Sequence, residues 1–190
     1  MFAYATDNIQ NGNAYPDGNS STEVFQKLLD GNYCSDPSVF YLPLAGKTPA
    51  VAGQKLKPEN VCWDVTSGVD SSASDVPLVF MTGYKVTYVP GGSAVPLIKP
   101  YPRYYTPSFW DWLGSLYFAD WYTPRPGMAV FYKSYNAKFM MLDHIVNSDG
   151  TTTFPLKYKP GASIENFVPN DFQPDGHTYR QLTPDGPLPP

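Results

Sequence analysis

The chain has 190 residues, enough to bury one core, with 16% charged and 16% aromatic residues, 21 prolines and 15 glycines. Thirteen basic and 17 acidic residues give a net charge of −4, and no Lys/Arg cluster forms, which excludes a nucleic-acid partner. No run approaches the roughly 18 apolar residues of a membrane span, and no signal peptide precedes the domain.

Met1 to Asp7 (MFAYATD) reads as the last two turns of a helix with no cap before it. Taken literally, the chain is soluble and intracellular. The abrupt start instead leads us to expect that an N-terminal segment has been removed. Residues 8–19 form a loop rich in Asn, Gly, Pro and Asp. Ser20-Ser21-Thr22-Glu23 has the form of a capping box, and Val24, Phe25, Leu28 and Leu29 follow as one apolar stripe. This predicts an amphipathic helix over 21–30, stopped by Gly31 as a left-handed C-cap residue.

Strand-like segments come next, at 39–42, 61–65, 78–81 and 85–89. Residues 96–126 are a Pro- and aromatic-rich insert, with a short helix predicted over 108–118. Strands follow at 129–132 and 138–142, joined by a hairpin turn at 134–137, with another at 152–154. The tail, 155–190, is expected to be irregular. Pro-Asp-Gly at 16–18, 174–176 and 184–186 marks turns. Short inter-strand loops imply antiparallel pairing. The prediction is therefore one α+β domain over 1–190: a helix end and one short helix packed on an antiparallel sheet of four to six strands.

The chain offers little chemistry. It lacks phosphate-loop, dinucleotide, Gly-x-Ser-x-Gly and His-Glu-x-x-His motifs. Of two histidines, His144 follows Asp143 directly, so in a strand the two side chains face opposite ways; His177 lies beside a turn. A Cys34–His144 nucleophile pair is the one catalytic arrangement left, and no zinc-like ligand spacing occurs. Between Lys57 and Lys85, Glu59, Asp64, Asp70 and Asp75 stand without a base. They are a cation site or, more commonly for short acids among Ser and Gly, turn formers. Cys34 and Cys62 have two readings. In an exported domain a disulfide would close a loop of about 28 residues, worth roughly 3 kcal/mol; in a reducing compartment they are small buried hydrophobes.

The insert carries Tyr104, Tyr105, Trp110, Trp112, Tyr117 and Trp121. These either pack on the sheet or on another subunit, or stack on sugar rings as in a glycan-binding module. Asp111 and Asp120 are the insert's only acids, which argues against a glycosidase.

The stretch MFAYATDNIQNGNAYPDGNSS, through Tyr4, Asp7, Asn8, Tyr15 and Pro16, resembles the point where the long N-terminal helix ends in type IV pilin-like proteins. The likeness is to pseudopilins of the type II (general) secretion pathway. STEVFQKLLDGNYCSDPSVFYLP, PLVFMTGYKVTYVPGGSAVP and GMAVFYKSYNAKFMML look like the helix and strands of divergent planctomycete and verrucomicrobial members. The likeness covers roughly residues 1–45 and 60–145; the insert and the tail lie outside the common core. It implies a pilin-like fold and a structural subunit, not an enzyme. Such a subunit would be a periplasmic domain anchored in the bacterial inner membrane by a missing helix, polymerising into a filament for protein transport. Its partners would be other pilin-like subunits and secretion-machinery components. Phe2 and Tyr4 would then pack against strands. No cofactor is expected; calcium, bound by some members, cannot be matched to ligands in this sequence. The alternative is an exported module binding glycans through the 101–122 aromatics.

Overall fold

The computed structural model describes residues 18–70, 75–98, 127–142 and 161–189, with the strand backbone at 145–146 and 152–153. Helix α1 spans Ser21–Asp30, as predicted. Ser20 Oγ accepts from the Glu23 N–H at 3.1 Å. The Glu23 carboxylate reaches back to the Asn19 N–H at 2.8 Å, one residue earlier than the box pattern implies. Val24, Phe25 and Leu28 are buried. The stop differs from expectation. Gly31 has φ −83 and is not left-handed; Asn32 takes that role with φ 56, a conformation Asn tolerates better than most residues.

Residues 39–42 are not a strand. Asp36 accepts from the Ser38 N–H at 2.9 Å, and Pro37 starts a 3-10 turn over Pro37–Phe40. Pro at the first position and an Asp cap outweigh the β preference of Val-Phe-Tyr. The turn drops Phe40 onto Phe25, with ring centroids 4.6 Å apart and stacked.

The strands are β1 Trp63–Ser67, β2 Pro77–Met81, β3 Tyr84–Val86, β4 Ala94–Pro96, β5 Gly127–Tyr132, β6 Ala137–Met141, β7 Ile145–Val146, β8 Thr152–Thr153, β9 Arg180–Thr183 and β10 Gly186–Pro187. Six form one sheet in the order β10-β9-β1-β2-β5-β6, with every neighbouring pair antiparallel. β3 and β4 form a separate ribbon, and β7 pairs with β8. The architecture is α+β. β3 ends earlier than predicted because the chain folds back tightly at 87–92. There a Cβ on Gly92 would lie 1.9 Å from the Thr87 carbonyl oxygen. The β5–β6 turn is held from outside: Asp75 accepts from the Ser134 N–H and hydroxyl, both at 2.9 Å.

The tail corrects the sequence reading most. Instead of being irregular it supplies β9 and β10, joined by the Pro184-Asp185-Gly186 turn. It also buries Ile164, Phe167, Val168 and Phe172. Thr22 of α1 donates to the Pro184 carbonyl at 2.8 Å, fastening the hairpin to the helix.

Cross-strand register sorts the sheet into two faces. Trp63, Val79, Met81, Ala129, Phe131 and Phe139 share the face on which α1 and Phe40 lie. Asp64, Thr66, Phe80, Val130, Tyr132 and Gln181 share the other, beneath the β3–β4 ribbon and the 161–179 segment. Phe80 meets Phe167 edge-on at 5.5 Å. The Tyr132 hydroxyl donates to the Phe167 carbonyl at 2.6 Å.

Candidate functional site: an apolar groove beside the helix

Among the described residues the second face is largely covered and the first only partly. Beside α1 a groove of about 830 Å³ runs across β1, β2, β5 and β6. Its floor is Trp63, Val79, Met81, Ala129 and Phe131, with Phe139 of the edge strand at its rim, and its wall is Phe25, Val39, Phe40, Leu42, Pro43 and Leu44. Lys138 is the one charged residue among the described lining. Val39 is 54% exposed and Phe139 38%, so apolar surface at the rim meets water.

Local sequence builds this shape. Asp36 and Pro37 turn the chain after α1 so that Phe40 joins the wall. Cys62 then pins the wall at Leu42: its Sγ donates to the Leu42 carbonyl at 3.2 Å and lies 3.1 Å from the Leu42 N–H, which donates back. Burial pushes the Cys62 thiol up, against smaller opposing effects of the Leu42 contact and the Lys47 charge, so the sulfur remains a neutral thiol. Both cysteines are free: Cys62 is buried, and half-buried Cys34 donates to the Asp36 carbonyl at 3.4 Å. The groove is apolar and shaped by side chains; its described lining carries no nucleophile–base pair or metal-ligand set.

Of the other residues singled out in the sequence, Phe2, Tyr4, Tyr104, Tyr105, Trp110, Trp112, Trp121 and His144 lie outside the described residues. His177 Nε2 is 3.6 Å from Asp70 Oδ1. Among the described residues no group of three or more His, Cys, Asp or Glu could hold a metal ion. No helix among them is long and apolar enough to cross a membrane. Three of the acids from the one-sided stretch have partners at the surface, Glu59 with Lys57, Asp75 with Ser134 and Asp70 with His177. Asp64 is neither turn former nor surface acid but a wholly buried strand residue.

Sequence reasoning did not find the groove. The available signal was β5, GMAVFY, which is apolar at both alternating sets of positions and so calls for cover on both faces.

Searches against models of protein families, curated proteins and solved structures find no match for the chain.

Proposed function

We propose that this chain is the globular part of a pilin-like filament subunit, and that the groove seats the helix by which the subunit is anchored and polymerises. The observation that carries this reading is the apolar, partly open sheet face beside α1. Leaving such a face wet costs about 25 cal/mol per Å² of apolar surface. From β1 to β6 the groove spans three inter-strand steps, roughly 15 Å, which about ten residues of helix cross at 1.5 Å per residue. The helix whose last turns the sequence reading puts at residues 1–7 has the composition to fill it: Phe2, Ala3, Tyr4 and Ala5.

In this reading the domain is periplasmic and tethered to the inner membrane. Neighbouring subunits and secretion-machinery components are its partners, and its work is mechanical. The codons upstream of Met1 test it. A short basic leader followed by about 20 apolar residues, with a Glu near their start, is the expected result. A conventional cleaved signal peptide would contradict it and favour the glycan-binding alternative.

A further inference from the structure

On the opposite face of the sheet, Asp64 sits in the middle of β1 with 0% exposure. Its Oδ2 accepts from Gln181 Nε2 at 2.6 Å, while Oδ1 has no hydrogen-bond partner. Gln181 is used three ways. Its Nε2 also donates to the Tyr84 carbonyl at 2.6 Å, and its Oε1 accepts from the Val86 N–H at 3.0 Å. One side-chain amide thus ties β9 to β1 and to β3, and its anchor on β1 is the Asp64 carboxyl.

A carboxylate withdrawn from water onto so few contacts loses more hydration than they replace; a neutral carboxylic acid avoids most of that cost. Burial accordingly pushes the Asp64 pKa up to about 7. Thr82, Gln181 and the Lys47 charge pull it back, and Asp185, from the β9–β10 turn, adds to the rise. Tyr88, which follows β3 and bonds Thr66 at 2.8 Å, also feels the Asp64 charge; its own burial, the larger effect, keeps its phenol neutral.

We propose that Asp64 is a proton-dependent latch between the sheet and the two elements closed over it, the β3–β4 ribbon and the C-terminal hairpin. As the neutral acid it fits the dry layer; as the carboxylate it favours states in which that layer opens to water. The proposal does not rest on the filament reading, since the groove lies on the other face.

Linkage sets the sign. The folded state holds the proton more tightly than the unfolded chain, so the stabilising contribution is complete below the ordinary aspartate value of 3.8 and is lost as pH rises through about 7. Within that interval the unfolding constant due to this group rises about tenfold per pH unit. The test compares wild type with Asp64→Asn, which mimics the neutral acid, by denaturant unfolding between about pH 4 and pH 8. Wild type should lose stability with rising pH relative to the variant, and above the pKa the variant should be the more stable protein. Equal pH slopes in the two proteins would overturn the latch. Should the variant not fold, wild type alone decides by hydrogen exchange at the Val86 and Leu188 amides, both bonded to Gln181. Their protection, corrected for intrinsic rates, should fall with pH while that of the β5–β6 pair holds. Protection that ignores pH would overturn the proposal, as would an Asp64 carboxyl whose ¹³C shift titrates at the ordinary value.

Discussion

Phe80 is the residue on which the covered face depends most. It is fully buried, central in β2, and edge-on to Phe167. Phe80→Ala removes a large side chain from a site walled by strands on both sides that cannot collapse into the space. The expected loss is about 3–5 kcal/mol, read by urea unfolding. Ser20 makes a smaller and more local contribution. Its hydroxyl satisfies one N–H at the start of α1, so Ser20→Ala should cost about 1 kcal/mol and Ser20→Gly only a few tenths. Equal losses in the two variants would show that the cap bond is not what Ser20 supplies. The Ser20 cap was legible in the sequence, because capping acts over a few residues; of Phe80 only its place in a strand was, since Phe167, which covers it, comes from the distant tail. The Asp64–Gln181 contact was not: its partners stand 117 positions apart. A lone Asp in a strand-like run does not announce what will cover it.

Among the elements, the C-terminal hairpin departs furthest from expectation, and the cause is tertiary. Arg-Gln-Leu-Thr has weak strand character alone; it becomes β9 because β1 offers an edge at Val65, Thr66 and Ser67. Removing residues 179–190 would strip Leu182 and Gln181 from the core and leave β1 as an unpaired edge beside an unsatisfied buried Asp64. The truncated chain is expected to lose its cooperative thermal transition by near-ultraviolet circular dichroism; an unchanged Tm would refute the assignment of β9 to the core sheet. The segment at 37–40 shows the reverse conflict, where Asp36 and Pro37 fix a turn that β-preferring residues then have to follow. Helix α1 came through because its apolar stripe agrees with its final burial, and strands β1, β2, β5 and β6 because short runs rich in β-branched and aromatic residues between turn residues are a local signal.

Seen whole, the described molecule is a sheet closed on one face and partly open on the other. The closed face is built by segments far apart in sequence. That is why its contents, Ile164, Phe167 and Phe172 from a Pro-rich tail, were invisible to a reading of local patterns. The open face arises from strands that are apolar on both sides, with α1 covering part of their width. If that face seats a helix, rim substitutions should separate stability from assembly. Phe139→Ser, at a 38% exposed position, should change domain stability by under about 1 kcal/mol yet weaken filament formation by the anchored protein. A large loss of domain stability would instead make Phe139 part of the core. The most direct test of the central claim is photocrosslinking of the 190-residue chain from a benzophenone side chain placed at Phe131 or Phe139. The account predicts intramolecular adducts that map by mass spectrometry to residues 1–7; adducts that never include those residues would contradict it.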